Sequence, residues 1–170
     1  MKLVGRPRSV ALLLSSALVL SACSKPEPPR VTPRSARVTS VGPAGIGLAV
    51  ELDVYNPNSF PLLVRTVNGT LEVLNGIEIG RGRADPAGSI PPKGSSLVST
   101  QLNLGLTNLP ALSQLALSAR AVPYTFRGAA TIGGEKLNIE VPFTLRGELT
   151  REQVLQAGLR GLGPMGLPLP

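Results

Sequence analysis

The sequence contains no histidine and no tryptophan, one cysteine, and only five phenylalanine and tyrosine residues among 170. Histidine is the side chain whose ordinary pKa lies near neutrality, so its absence excludes a Ser-His-Asp triad, a histidine general base and a histidine-containing zinc site. One cysteine cannot form a disulfide within the chain, nor can it supply a thiolate cluster for zinc or iron–sulfur. The sequence therefore predicts a protein that is not an enzyme and has neither a metal site nor a cofactor.

The positive charge is concentrated at the start of the chain. There are 17 Lys and Arg against 10 Asp and Glu, a formal net charge of +7. Lys2, Arg6 and Arg8 precede an uncharged, largely apolar run over 9–24, which is the layout of a secretory signal and is too short to span a bilayer comfortably. Without residues 1–22 the side-chain charge falls to 14 minus 10, or +4, and is scattered. Nucleic acid is therefore not an expected partner.

The apolar run ends in Leu20-Ser21-Ala22-Cys23, which resembles the lipobox of bacterial lipoproteins. The small residues Ser21 and Ala22 fit the signal peptidase, and the only cysteine lies where diacylglycerol is attached. The resemblance implies cleavage before Cys23, acylation of that residue and the lipid bilayer as a partner. Acyl chains contribute about 0.8 kcal/mol per buried CH₂, so two or three chains hold a protein on a membrane. Ser24, rather than Asp, follows the cysteine, which by the same resemblance implies the outer membrane. We expect the domain to face the periplasm, and exposure at the cell surface is the alternative.

Proline and glycine are enriched at both ends of the remaining chain. Residues 23–35 combine the cysteine with a proline-rich stretch that has little apolar bulk, which predicts an extended linker. At about 3 Å per residue, such a linker would hold the domain about 30 Å from the membrane. The domain itself is predicted over 36–148, and 149–170 are predicted to form a short helix and a loose Gly/Pro-rich tail.

Between these ends, apolar and polar residues alternate. Over 46–55 the even-numbered residues are all apolar, which predicts a half-buried strand. Asn75-Gly76 predicts a two-residue hairpin turn, and Asn68-Gly69 predicts a bulge or bend. Glycine and proline predict a turn-rich span over 80–94. The other predicted strands cover 62–74, 97–104, 124–132 and 136–145, and the last two form a hairpin across Gly133-Gly134.

Helical signals are few. Residues 109–120 have apolar spacing typical of one helix face, and Thr150 with Gln153 forms a capping-box pattern that predicts a short helix. About seven short strands without βαβ alternation favour an all-β fold. We therefore predict an antiparallel immunoglobulin- or fibronectin-III-like β-sandwich with one short helix.

Two groups of polar residues are candidates for a site. In Asn56-Pro57-Asn58, proline fixes φ and lacks an N–H, while the asparagine amides can bond nearby backbone. This predicts a structural role in setting the turn, with direct ligand contact as the alternative. Glu51 and Asp53 lie on one face of the predicted strand, about 7 Å apart. They form either a carboxylate pair for acid–base chemistry or calcium, or the solvent side of the strand.

The central segment also resembles a known family. Its sequence includes ELDVYNPN over 51–58, VNGTLEV over 67–73, NGIEIG over 75–80 and IPPKGS over 90–95. This ordered set is similar to the water-stress and hypersensitive-response (WHy) domain of group 2 late embryogenesis abundant (LEA type 2) proteins, and the resemblance covers 36–148. It implies a folded sandwich and a protective or binding role without catalysis. Two hypotheses follow: a module that protects envelope components or client proteins during desiccation or other stress, and a specific protein-binding subunit that uses an exposed sheet edge.

Overall fold

The computed structural model describes residues 26–42, 44–74, 76–108, 110–111, 120–134, 138–150, 152–153 and 155–156. Most of these residues belong to β-strands, as the alternating pattern predicts. The eight strands of the described chain are Arg30–Gly42 (β1), Gly45–Tyr55 (β2), Leu62–Val73 (β3), Ile77–Ala84 (β4), Gly88–Ile90 (β5), Ser95–Leu106 (β6), Val122–Gly133 (β7) and Asn138–Leu149 (β8).

The strands form one antiparallel sheet in the order β1-β2-β6-β4-β3-β7-β8, with β5 paired to β3. Strand β6 joins the two halves of the sheet, because 95–104 pair with β2 whereas Gly105 and Leu106 pair with β4. The terminal strands β1 and β8 approach each other, so the sheet is nearly barrel-shaped. The all-β antiparallel class is confirmed, whereas the predicted immunoglobulin- or fibronectin-III-like sandwich is not.

The inward side chains of the strands fill the interior. In β2, the alternation predicted from sequence is confirmed, because Leu48, Val50 and Leu52 are fully buried. The Phe126 ring packs beside that of Phe143, with centroids 6.0 Å apart. Burying a large apolar side chain stabilises a fold by about 1.5–3 kcal/mol, so this interior supplies the main driving force for folding.

Strand β1 begins inside the predicted proline-rich linker of 23–35. Arg30 already pairs with Tyr55 of β2, and the pairing continues to Gly42. Pro33 is tolerated because β1 is a terminal strand and its register shifts between Pro33 and Ser35, where a residue without an N–H costs little. Residues 30–35 of the predicted linker are therefore part of the sheet.

Strand β4 continues through Gly80 and Gly82 into the span that was predicted to be turn-rich. Neither glycine has an apolar side chain that would make a strand alternation visible in the sequence. Their missing side chains serve the packing, because a Cβ on Gly82 would lie 2.5 Å from the carbonyl oxygen of Asn103 on β6. The prediction of turns over 80–84 was wrong for this reason.

The predicted bulge at Asn68-Gly69 is also absent, since β3 pairs in regular register there with both neighbouring strands. Gly69 instead leaves room for the Phe126 ring, which a Cβ would overlap. A hairpin connection between β3 and β4 is confirmed, because the two strands are adjacent and antiparallel. Val73 pairs with Ile77, so three residues and not the predicted two lie between the paired ends, and Asn75 lies outside the described residues.

The helix predicted over 109–120 lies outside the described residues apart from Pro110, Ala111 and Arg120. At its start, the Asn108 side chain accepts a hydrogen bond from the backbone N–H of Ala111, at 3.0 Å.

The predicted capping box at the end of β8 has its two reciprocal hydrogen bonds. The Thr150 N–H donates to Gln153 Oε1 at 2.9 Å, and the Gln153 N–H donates to Thr150 Oγ1 at 3.3 Å. The staple partner Val154 and most of the predicted tail lie outside the described residues, so the short helix itself is not confirmed.

Candidate functional site at the Asn-Pro-Asn loop

The loop after β2 contains two buried polar side chains. Asn56 is fully buried and Asn58 is 7% exposed, and within the described part of the chain they are the only polar residues in the buried class. Buried amides must find hydrogen-bond partners, because leaving one unpaired costs about 1–3 kcal/mol. The partners of these two residues therefore show what the motif holds together.

Asn56 joins its own loop to the loop before β6. Its Nδ2 donates to the carbonyl oxygens of Phe60, at 2.7 Å, and Pro91, at 3.2 Å. Its Oδ1 accepts the backbone N–H of Asn58 at 2.9 Å. Its own N–H donates to the carbonyl oxygen of Gly94 at 2.8 Å. One buried residue thus fixes both loops at this end of the barrel.

Asn58 holds the segment that leads into β1. Its Nδ2 donates to the carbonyl oxygen of Glu27 at 2.9 Å, and its Oδ1 accepts the Glu27 N–H at 2.8 Å. This reciprocal pair has the form of a strand ladder, with the amide taking the place of a second backbone. The two residues are 31 positions apart, so the contact attaches the N-terminal segment to the barrel end. We call this pair the Glu27 clamp.

Lys93 completes the arrangement from the other loop. Its N–H donates to the carbonyl oxygen of Asn58 at 2.9 Å, and its Nζ donates to that of Pro57. Its φ of 51° lies in the left-handed region, where a residue other than glycine requires support from its surroundings. Sequence reasoning did not assign roles to Glu27 or Lys93. The IPPKGS segment contains Lys93, whereas nothing in the local sequence marks Glu27.

The carboxylates Glu51 and Asp53 are both engaged by β1. Ser35 Oγ donates to Glu51 Oε2 at 3.0 Å, and the Arg34 guanidinium pairs with Asp53 Oδ2 at 2.6 Å. Among the residues that the structure describes, no three His, Cys, Asp or Glu side chains are grouped so that they could hold a metal ion. The contacts to Ser35 and Arg34 fit the solvent-side interpretation of these carboxylates.

Tyr124 connects the two terminal strands of the sheet. Its hydroxyl donates to the carbonyl oxygen of Ala36 on β1, and its ring passes over Gly147 of β8, where a Cβ would lie 2.5 Å from Cζ. Burial raises the pKa of the Tyr124 phenol above its ordinary value of 10.0, and the positive charge of Arg37 opposes this shift. The phenol therefore helps to close the barrel between β1 and β8.

The lipobox residues Leu20, Ser21, Ala22 and Cys23 lie outside the described residues. In the part of the chain that is described, no helix has the length and apolar character needed to cross a membrane.

The family assignment comes from the central strands. The family model of the late embryogenesis abundant protein (LEA_2) matches residues 51–147, which run from β2 through the Asn-Pro-Asn loop to Gly147 on β8. The chain belongs to this family. The LEA type 2 match thus covers more than half of the 170 residues and agrees with the resemblance seen in the sequence.

Solved structures share the fold of this LEA type 2 chain at low sequence identity. A protein from Arabidopsis thaliana, determined in solution, has a TM-score of 0.59 and 18% identity, covering 78% of this chain and 88% of its own. The solution structure of a late embryogenesis abundant protein has a TM-score of 0.55 and 18% identity, covering 72% of this chain and 70% of its own. No curated protein sequence matches this chain. At such identities the likeness concerns the fold alone.

Proposed function

We propose that this LEA type 2 chain is a non-enzymatic lipoprotein of the outer membrane that protects envelope components or proteins during desiccation or other stress. Membership of the family over 51–147 is the observation that carries the protective role. The buried amides of the Asn-Pro-Asn loop support it further, because Asn56 and Asn58 use their hydrogen-bonding groups within the fold. A structural use of this motif leaves the outer surface to contact clients.

Protection is tested with a labile enzyme taken through drying and freezing cycles in the presence of the purified protein. We expect less aggregation of the enzyme than with an inert protein of equal size at the same concentration. Equal aggregation in the two mixtures would overturn the protective role.

The anchor in this proposal is Cys23, acylated after cleavage of 1–22. We expect the mature protein to fractionate with the outer membrane and to have the mass of an acylated, palmitate-containing chain. The Cys23→Ser variant should lose both properties. A processed Cys23→Ser protein that stays bound to the membrane would contradict lipid anchoring.

A second function is favoured by the seam at which β1 and β8 approach each other, since among the described strands β1 pairs only with β2 and β8 only with β7. A terminal strand offers backbone groups to a strand from another protein, which suits a binding subunit of an envelope complex. Crosslinking in intact cells separates the two functions. One stoichiometric partner supports the binding subunit, whereas a diffuse set of neighbours supports the protective module.

A further inference from the structure

The Glu27 clamp determines where the chain leaves the barrel. Two hydrogen bonds join Glu27 to Asn58, and the next residue but one, Pro29, is buried. Residues 27–29 are therefore part of the barrel end and not of a free linker. We call this end, formed by Glu27, the loops 56–61 and 91–94, and Gly133 and Gly134, the tethered end.

The distance from the clamp to the proposed anchor is short. Glu27 is four positions after Cys23, and an extended chain spans at most about 3.3–3.6 Å per residue, or about 14 Å in total. This is less than half of the roughly 30 Å that proline-rich composition predicts for the whole linker. Provided that Cys23 is acylated as proposed above, the tethered end stays within reach of the lipid headgroups.

The tethered end and its outer rim present apolar side chains to solvent. Phe60 is 39% exposed, Leu63 is 45% exposed and Leu97 is 63% exposed. Leu63 pairs with Ser89 of β5, whose carbonyl oxygen accepts a hydrogen bond from Ser96, the residue before Leu97. The two leucines thus flank β5, and Phe60 lies on the Asn-Pro-Asn loop. An exposed apolar group of this kind is typical of a contact surface.

Three cations surround the same end, each held by a specific contact. Arg30 lies over the Tyr55 ring at 5.9 Å, Arg65 donates to the carbonyl oxygen of Gly134 at 2.6 Å, and Lys93 donates to that of Pro57. A cation at an anionic membrane surface contributes about 1 kcal/mol. Apolar side chains surrounded by cations are complementary to the interface of a bilayer with phosphate headgroups.

We propose that the tethered end docks on the bilayer that holds the acylated Cys23. Phe60, Leu63 and Leu97 face the interfacial region, and Arg30, Arg65 and Lys93 face lipid phosphates. The barrel then lies directly on the membrane and presents its opposite end, with the β3–β4 turn, to the aqueous compartment. This inference depends on the proposed lipid anchor and adds the orientation of the domain to it.

The test measures how close each end of the barrel lies to the lipids. Acylation blocks the only cysteine, so a fluorescent label added to the purified full-length lipoprotein reacts only with an introduced thiol. Phe60→Cys places the label on the tethered end, and Ile77→Cys places it at the opposite end on a residue with the same 39% exposure. Each protein is reconstituted into vesicles of phosphatidylethanolamine and phosphatidylglycerol that contain a headgroup-attached quencher.

We expect quenching to be several-fold stronger at position 60 than at position 77. Leu63→Cys and Leu74→Cys, with 45% and 40% exposure in the parent, provide a second pair in case Phe60→Cys disturbs its loop. Equal quenching at the two ends in an acylated protein would overturn the docking inference and leave the anchor intact. Labelling of Cys23 in the parent protein would instead show that the thiol is free and would overturn the anchor together with the inference.

Discussion

The side-chain amide of Asn58 pairs with the backbone of Glu27 as a neighbouring strand would. Its oxygen and nitrogen satisfy both backbone groups of Glu27, and the nitrogen also contacts Asn56 Oδ1 at 3.1 Å. Truncating it would leave several partly buried polar groups without their partner at once. Leaving a buried polar group without a partner costs more free energy than an intact hydrogen bond contributes to stability. Substitution of Asn58 should therefore destabilise the fold.

Asn58→Ala is expected to lower the free energy of unfolding by about 2–3 kcal/mol, because it removes both hydrogen bonds to Glu27. Urea unfolding of a chain that begins at Ser24 measures the change. Asn103→Ala is the matched control, since Asn103 is exposed on β6, and it should change the stability by less than about 0.5 kcal/mol. A similar small change for both variants would show that the clamp contributes little.

Tyr124 predicts a pH dependence of stability. Burial raises the pKa of its phenol in the folded chain above the ordinary 10.0, so the unfolded chain loses this proton first as pH rises. The contribution of the protonated Tyr124 phenol to the free energy of unfolding is therefore fully present below about pH 10 and is lost as pH rises through the folded-state pKa. Tyr124→Phe should reduce stability by about 1 kcal/mol at neutral pH through loss of the bond to Ala36. Urea unfolding across a pH series should show that difference narrowing above about pH 10, and a constant difference would contradict the assignment.

Residue types identified the local part of the site but not its distant partners. Asparagine and proline after a strand indicate a turn with side-chain to backbone bonds, and Asn56 makes such a bond to Phe60, four residues away. Glu27 and Ala36 could not be found in this way. Their partners lie 31 and 88 positions along the chain, and backbone groups carry no residue-specific signal.

At the scale of elements, the period-two pattern was sufficient where strands contain large apolar residues and insufficient where they contain glycine. Val50 and its inward neighbours give β2 a clear apolar alternation, whereas Gly80 and Gly82 interrupt that alternation in β4. The space that a strand glycine leaves is occupied by another element. Gly128, for example, is next to Phe143, whose ring would lie 2.6 Å from an added Cβ. Such pairings depend on register between strands, which a single strand's sequence does not encode.

Gly147→Ala tests this role of strand glycines. A methyl group on β8 would overlap the Tyr124 ring and push its hydroxyl from Ala36, so we expect a loss of about 1–3 kcal/mol in the free energy of unfolding. Gly134→Ala is the control, because an added Cβ there meets no described residue within 4 Å. Urea unfolding should show a change below about 0.5 kcal/mol for the control. Equal stability of both variants would contradict the close approach of ring and backbone.

At the scale of the whole molecule, the same strands are compatible with a sandwich or with a nearly closed barrel. Alternation shows which side of a strand is buried but not which strand faces it. Here β6 pairs with β2 along most of its length and then with β4, a change of partner that makes the sheet continuous. The residue types in β6 do not indicate this change of partner. The all-β class was therefore predictable from the sequence, whereas the near closure of the sheet into a barrel was not.

The Glu27 clamp also predicts how the protein responds to protease if it is anchored to a membrane as proposed. Pro26 follows Lys25 and protects that bond from trypsin, so Arg30 is the first susceptible site after Cys23. Cleavage there would release the barrel from its proposed anchor, but Arg30 is paired in β1 and must open first. Asn58→Ala should speed release of the barrel from membranes by at least about tenfold, because each 1.4 kcal/mol lost from the closed state raises the open population tenfold. Mass spectrometry of the released fragment identifies the cleaved bond. The control variant Asn103→Ala should be released from the membrane at the same rate as the parent protein. If Asn58→Ala were also released at that rate, a clamp that restrains the start of β1 would be contradicted.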